Sequence, residues 1–280
     1  MYRLYTLSME MRALGRTGIG VPVIGTGTWR TFDVSGRAAE ENCRSIVSVA
    51  LDAGARLFDT SPMYGRAERV LARALESRRE EALVATKVWA SSAREGRAQI
   101  AQALEWFGGR VDIYQVHNLL AWRDHLPYLE ELRARGQVTV IGITHYSHAA
   151  FPEMLRVLES GSVSQIQVPY NVADRVVEDQ VLPAAEQHGA GVIVMRPLGE
   201  GSLIRAAPTQ AALRPLERFG VWTWAQALLK WILSDRRVHA VIPATSSLAH
   251  LRENLAAGDP PWLDADARRY VAEIMRDAHR

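Results

Sequence analysis

The sequence predicts an eight-stranded parallel β/α barrel (a TIM barrel), preceded by a small β-hairpin. Short β-rich runs alternate eight times with longer segments of helical periodicity, and the 280-residue length matches barrels of this kind. The runs are continuously apolar rather than alternating, which is typical of parallel strands buried on both faces. A doubly wound open sheet is the second choice. Its usual Gly-x-Gly-x-x-Gly turn is not present in GTGTW, the stretch that ends the first run.

The strands are predicted from short runs rich in β-branched residues, each followed by polar or turn-forming residues. The eight predicted strands are Val21–Gly27, Arg56–Asp59, Leu83–Lys87, Val111–His117, Val138–Thr144, Ser164–Tyr170, Gly191–Pro197 and His239–Ala244.

Each predicted strand is followed by a segment in which apolar residues recur every three to four positions. In front of the barrel, MRALGRTGIGVPVIG predicts a hairpin that turns at Thr17-Gly18 and closes the bottom of the barrel. A last helix is expected between Trp262 and Arg280. The predicted barrel helices are Ala38–Asp52, Ala67–Leu75, Arg94–Phe107, Asp124–Ala134, Ala149–Leu158, Glu178–His188, Thr223–Leu233 and Ser247–Ala257.

Composition limits the class of protein. Apolar residues make up 48% of the chain and no linker-like segment divides it, so one domain over residues 1–280 is expected, with residues 1–10 as a disordered leader. No apolar run is long enough to span a bilayer, and no secretory signal is found. The single cysteine, Cys43, is interpreted as a core residue in a reducing, cytoplasmic protein. A net charge of +2 with dispersed arginines argues against nucleic acid as a partner. A monomer is expected.

Three neighbouring strands end in ionisable residues, which is the feature that points to chemistry. Asp59, Lys87 and His117 end the second, third and fourth strands, and Tyr64 follows in the loop after the second. Barrel enzymes carry their active sites at these carboxyl ends. Buried charges there are costly unless they are paired. We therefore expect the four side chains to form one site, without a metal ion.

The chemistry of this set suits the reduction of a carbonyl group. A phenol has a pKa near ~10, and a neighbouring cation lowers that value. Lys87 is placed to supply the cation, with Asp59 holding its ammonium in place. Tyr64 then donates a proton to an oxygen that gains negative charge, and His117 orients that oxygen. The electrons must come from a cofactor.

At the level of motifs, the sequence resembles the aldo-keto reductase family. The resemblance covers nearly the whole chain, and the ordered series of motifs on successive strand ends makes it specific. It implies that Asp59, Tyr64, Lys87 and His117 form a catalytic tetrad that reduces an aldehyde or ketone with hydride from NADPH. The motifs are LGRTGIGVPVIGTGTW, FDTSPMYG, ATKVW, YQVHN, IGITHYS, IQVPYN, MRPLGEG and IPATSSLAHLRENLAAG.

The resemblance also implies a cofactor shell and a substrate pocket. The implied pocket residues are Trp29 and Trp89. Trp122, in the loop after the fourth predicted strand, is a further candidate for the pocket wall. The implied cofactor residues are Gly27, Thr28, Asp59, Thr144, His145, Gln167, Met195, Arg196, Pro197, Leu198, Gly199, Gly201, Ala244, Thr245, Ser246, His250, Glu253 and Asn254.

Several positions depart from the family pattern and leave alternatives open. His145 stands where an amide is common, so it is a carboxamide contact, a second titratable group near the site or a loop residue without function. Ala244 and His250 stand where basic residues often bind the 2′-phosphate. NADPH is therefore favoured, with NADH or dual use as the alternative. The chain also ends soon after its last helix, which predicts an open and less selective pocket.

Two other functions are consistent with the residues. A Schiff-base aldolase would use Lys87 as its nucleophile, although the adjacent acid Asp59 argues against a neutral amine. A regulatory barrel would bind the nicotinamide cofactor and turn it over slowly.

Overall fold

Eight parallel strands follow one another in chain order around the main sheet of the computed structural model, which describes residues 9–277. Two further strands form an antiparallel hairpin in front of them. The hairpin strands are β1 (Met11–Ala13) and β2 (Gly20–Pro22), and the barrel strands are β3 (Thr26–Gly27), β4 (Leu57–Asp59), β5 (Leu83–Val88), β6 (Val111–His117), β7 (Val138–Thr144), β8 (Gln165–Pro169), β9 (Gly191–Met195) and β10 (Ala240–Val241).

Helices connect the strands and cover the outside of the sheet. Several begin with a side chain that caps their first free N–H groups; Thr223 and Gln226 form a reciprocal capping box, for example. The helices are α1 (Arg37–Asp52), α2 (Ala67–Leu75), α3 (Ala93–Trp106), α4 (Trp122–Ala134), α5 (Phe151–Glu159), α6 (Val181–His188), α7 (Gln210–Leu213), α8 (Trp224–Leu233), α9 (Leu248–Leu255) and α10 (Ala265–Asp277).

The sheet closes on itself between its first and last strands. Ile24 and Val241 form a parallel bridge, and the N–H groups of Gly25 and Gly27 donate to the carbonyls of Val241 and Pro243 at 2.8 and 3.1 Å. With this seam the eight strands form a barrel, so the predicted fold is confirmed. None of the helices among the described residues is long and apolar enough to cross a membrane.

Strand register aligns the carboxyl ends of the strands at one end of the barrel. Gly27 pairs with Asp59, His117 pairs with Thr144, and Thr144 pairs with Gln167. Each of these residues is the last or a central residue of its strand, so their side chains reach the same end. This end, the top of the barrel, is where the sequence places the polar residues.

The opposite end, the bottom, is closed by the hairpin. Leu14 in its turn packs with Leu57, Ala240 and other interior residues from several strands, and it has no solvent exposure. Gly15 has a φ of +54°, and a Cβ at this position would overlap the backbone of Gly189 and its neighbours. Only glycine tolerates both conditions, which lets the turn approach β9 closely.

The first predicted strand is wrong in its boundaries. Val21–Gly27 is not one strand: Val21 pairs with Arg12 in the hairpin, while Thr26 pairs with Phe58 in the barrel. The two halves have the same β-like composition, so periodicity alone does not separate them. Of the expected leader, residues 1–8 lie outside the described part of the chain. Glu10 is described, and its N–H donates to the carbonyl of Gly258 at 3.1 Å.

Candidate active site

Asp59 and Lys87 form a buried ion pair between two adjacent strand ends. Lys87 Nζ donates to both carboxylate oxygens of Asp59 and to the carbonyl of Thr60, each at 2.8 Å, and is fully buried. Gln167 Nε2 donates to Asp59 Oδ2 at 2.8 Å from across the barrel. Burial disfavours the ammonium, but the Asp59 carboxylate and Tyr64 more than offset this and raise the pKa of Lys87. A charged Lys87 is a poor Schiff-base nucleophile, which opposes the aldolase alternative.

Tyr64 lies above this pair on a single helical turn, Pro62–Tyr64. Ser61 caps the turn and Pro62 fits its first position, since that position needs no N–H donor. Lys87 Nζ is 5.2 Å from the centre of the Tyr64 ring. Burial raises the pKa of Tyr64, and the Lys87 charge lowers it only in part. From the sequence only this lowering was expected, so the direction of the net pKa shift of Tyr64 is opposite to the expected one. The phenol stays protonated at neutral pH and keeps its proton available to a ligand.

His117 faces Tyr64 from the end of β6. The two rings meet edge to face, with their centres 5.9 Å apart. His117 Nδ1 is 2.8 Å from the hydroxyl oxygen of Ser61. Burial, followed by the charge of Lys87 and then by His145, lowers the pKa of His117 to about 3. The ring is therefore neutral at physiological pH and acts as a hydrogen-bond partner rather than as a cation.

A cavity of about 860 Å³ opens above these residues, at the top of the barrel. It extends from the Asp59 end to the start of α9, where Ser247 caps the helix. Most of the residues that the sequence assigns to a site line it. These are Gly27, Thr28, Trp29, Asp59, Tyr64, Trp89, His117, Thr144, Gln167, Met195, Arg196, Pro197, Leu198, Gly201, Ala244, Thr245, His250, Glu253 and Asn254.

Five of the assigned residues do not line the cavity. Lys87 lies beneath Tyr64, Gly199 begins the 3₁₀ turn Gly199–Gly201, and the carbonyl of Ser246 accepts a hydrogen bond from the Asn42 amide at 2.9 Å. His145 stacks on Tyr146 and accepts the N–H of Ser147 through Nδ1 at 3.0 Å. It is near enough to His117 to contribute to the lowered pKa of that ring, as a second titratable group beside the site would.

Trp122 is the fifth of these residues, and its position differs from the expected one. It is the first residue of α4, where its indole N–H donates to Glu153 at 2.8 Å and Arg123 stacks on its ring. Helix α4 begins at Trp122, two residues before the predicted start at Asp124, and Trp122 packs partly buried against the core instead of lining the cavity.

Several lining residues were not found from the sequence. Met63, Asn118 and Tyr146 line the cavity beside the tetrad, together with Arg30 and Glu200 at its mouth. Glu200 forms an ion pair with Arg196 at 2.9 Å and lies 4.0 Å from Arg30. Asn118 directly follows the end of β6 and Tyr146 comes two residues after the end of β7, which is the signal that would have found them. Arg30 and Glu200 are far apart in the sequence and are brought together by the fold, so no local signal indicates their contact.

The chain belongs to the aldo/keto reductase family. The family model matches residues 23–275, which is nearly the whole chain. This match confirms the family that the motifs indicated and the class of enzyme, an oxidoreductase acting on aldehydes and ketones.

Individual relatives agree with this assignment. The chain is 30% identical to L-galactose dehydrogenase of Arabidopsis thaliana, covering 89% of this chain and 88% of the relative. It is 28% identical to methylglyoxal reductase YeaE of Escherichia coli, covering 89% of each. Its fold is similar to that of an aldo-keto reductase from Klebsiella pneumoniae solved in complex with NADPH, with a TM-score of 0.79, 24% identity and coverage of 96% and 94%.

Proposed function

We propose that this protein reduces a small aldehyde or ketone to an alcohol, with Tyr64 as the proton donor. One observation carries the proposal: Asp59, Lys87 and His117 on adjacent strand ends and Tyr64 in the following loop meet at the base of a single large cavity. A nicotinamide cofactor supplies the hydride when bound. The side chains supply the proton and hold the carbonyl oxygen.

Each member of the tetrad has a distinct role in this proposal. Tyr64 gives its proton to the carbonyl oxygen as negative charge develops there, and the nearby ammonium of Lys87 stabilises the phenolate that remains. Asp59 keeps Lys87 charged and fixed through two hydrogen bonds of 2.8 Å. The neutral His117 donates a hydrogen bond to the same oxygen and orients it.

The cavity residues fit a nicotinamide dinucleotide. The Thr28 hydroxyl is buried and has no hydrogen-bond partner among the described residues, as expected of a group that binds a ligand hydroxyl. Gly27 lines the cavity, and it takes no side chain because a Cβ there would approach the carbonyl of Ile242 to 2.8 Å. The far end of the cavity meets the N-terminus of α9, which favours a phosphate group.

NADPH is the cofactor that we propose, with NADH or dual use as the alternative. Arg30, Arg196 and His250 line the cavity, whereas Ala244 provides no charge for a 2′-phosphate. Binding to the folded state raises the unfolding temperature by an amount set by affinity. In titrations with each cofactor, NADPH should therefore raise the unfolding temperature more than NADH does. An equal or larger shift with NADH would reverse the preference, and no shift with either would contradict a nicotinamide site.

The substrate that we propose is a small carbonyl compound with an apolar substituent. Trp29 and Trp89 line the cavity, and 42% of Trp89 is exposed to solvent. An open aromatic wall of this kind favours broad selectivity.

The test of the proposal is Tyr64→Phe, which keeps the ring and removes the proton. Loss of a general acid lowers turnover by roughly 10²–10⁴-fold. We expect this loss in NADPH oxidation with an aldehyde, while the thermal shift caused by NADPH is retained. Tyr128→Phe on the outer helix α4 is the matched control, with unchanged turnover. Full activity of Tyr64→Phe would show that the proton comes from another group.

We further propose one domain over all 280 residues and a cytoplasmic monomer. The buried single cysteine, Cys43, and the low net charge of +2 support this proposal. Light scattering after size-exclusion chromatography tests the monomer, and a mass of twice 31.1 kDa would contradict it.

A further inference from the structure

Ser61 lies between two members of the tetrad in sequence and contacts a third in space. It is fully buried, and its hydroxyl oxygen accepts the N–H of Met63 at 3.2 Å and lies 2.8 Å from His117 Nδ1. We propose that Ser61 is a positioning residue that holds the proton of His117 on Nε2, so that His117 presents an N–H donor to the cavity. This inference rests on the proposed function of the same site.

The number of donors and acceptors on Ser61 decides which group donates in the contact between its hydroxyl and His117 Nδ1. A serine hydroxyl has one hydrogen to donate and two lone pairs to accept. The N–H of Met63 uses one lone pair. If Nδ1–H of His117 used the other, the hydroxyl hydrogen would need a second acceptor. Within residues 9–277, Ser61 Oγ makes no hydrogen bond to any acceptor other than His117 Nδ1.

A buried donor without an acceptor costs roughly 1–3 kcal/mol. The hydroxyl of Ser61 therefore donates to Nδ1, and the proton of the ring is on Nε2. The ring carries only one proton because burial and the charge of Lys87 lower the pKa of His117 to about 3. His117 lines the cavity, and Nε2 is the nitrogen that Ser61 leaves free for a ligand.

The choice of tautomer matters for the reaction. A carbonyl oxygen is a hydrogen-bond acceptor, so Nε2–H attracts and orients it, whereas a bare Nε2 would direct a lone pair at it. Without Ser61 the two tautomers would differ little in energy, and part of the population would present the wrong nitrogen.

The direct test reads the tautomer by NMR. Long-range ¹H–¹⁵N correlation spectra of histidine-labelled protein distinguish protonated from bare ring nitrogens, and His117→Gln assigns the signal. We expect a protonated Nε2 and a bare Nδ1 in the wild type, and a shift toward protonated Nδ1 in Ser61→Ala. A protonated Nδ1 in the wild type overturns the inference, and this outcome is decisive even if the variant does not fold. An unchanged tautomer in a folded Ser61→Ala also overturns it.

Kinetics provide the second test. Loss of one oriented hydrogen bond corresponds to about a tenfold decrease in kcat/KM. We expect Ser61→Ala to show this decrease mainly in kcat, with NADPH binding unchanged. In the His117→Gln background the same substitution should have no further effect on kcat, whereas a purely structural role would add its loss there too.

Ser92→Ala is the matched control because Ser92 caps α3 by accepting the N–H of Glu95 at 3.3 Å and lies away from the cavity. It loses a cap bond and should keep its turnover. Full activity of Ser61→Ala would overturn the inference. If the wild type reduces no carbonyl compound, the proposed function fails, while the NMR experiment still decides the role of Ser61.

Discussion

The top and the bottom of this barrel are built from the same strands in opposite ways. Strand β4 shows the contrast within three residues: Leu57 packs into the apolar interior, and Asp59 ends the strand in an ion pair with Lys87. At the bottom, Leu14 fills the interior from the hairpin. At the top, buried ionisable groups stand in a cavity wall, where burial is costly.

Stability and function are separable at the bottom of the barrel but not at the top. Leu14 at the bottom stabilises the fold by apolar packing and does not line the cavity. The ion pair at the top serves both purposes, because Asp59 and Lys87 are buried together and either one alone would be an unpaired charge. Substitutions at the two ends should therefore divide into those that change stability alone and those that change stability and turnover together.

The largest effect is expected for Lys87→Met, which leaves Asp59 buried without its partner. Breaking a buried pair from one side costs about 3–5 kcal/mol of unfolding free energy. Turnover should be lost as well, because Tyr64 loses the cation beside it. Urea denaturation and NADPH oxidation measure the two effects. The double variant Asp59→Asn/Lys87→Met should recover most of the stability and none of the activity. A single variant of wild-type stability would contradict the assigned ion pair.

The next effect is expected for Leu14→Ala at the bottom. Removing a fully buried leucine side chain leaves a cavity and costs about 3 kcal/mol. We expect kcat/KM to stay at the wild-type value when it is measured well below the unfolding temperature. A fall in turnover along with stability would show that the two ends of the barrel are coupled.

The smallest expected effect is the contribution of His117 to the pH dependence of stability. The pKa of His117 is about 3 in the folded protein and near ~6.5 when unfolded, so the unfolded chain binds more protons between these values. Stability from this group is complete above the unfolded pKa and is lost as pH falls toward the folded pKa. His117→Gln should reduce the loss between pH 6.5 and pH 5 by about 1.5 kcal/mol. Denaturation at several pH values tests this.

A histidine at the bottom supplies the control for that measurement. Burial lowers the pKa of His239 to about 4, so His239→Gln should reduce the acid-induced loss in the same direction. Unlike His117→Gln, it should leave turnover unchanged. If the free energy of unfolding depended on pH in the same way in the wild type and in His117→Gln, the lowered pKa of His117 would be contradicted.

Much of the top of the barrel could be predicted from sequence because its signals are local. Asp59, Lys87 and His117 each end an apolar run, and parallel strands place such ends together. The boundary between the hairpin and the barrel was harder to predict from the sequence, because the residues around Val21 and those around Thr26 have similar β-forming composition. Register and pairing separate them, and both depend on residues far along the chain.

The contacts that define the details of the site could not be predicted for the same reason. Ser61 followed by Pro62 indicates the start of a helical turn, but its contact with His117 joins residues 56 positions apart. Trp122 was predicted to lie in the loop after the fourth strand and was assigned to the pocket, yet α4 begins at that residue and Trp122 does not line the cavity. The net pKa shift of Tyr64 depends on burial, which the sequence does not specify.

The seam between β3 and β10 has a consequence for synthesis on the ribosome. Ile24 and Val241 are joined across nearly the whole chain, so the barrel cannot close until its last strand has left the exit tunnel. Until then, the nascent chain exposes an unpaired strand edge, which is the kind of surface that recruits other chains. Both seam strands are only two residues long. Their brevity limits the length of edge on which premature association could begin.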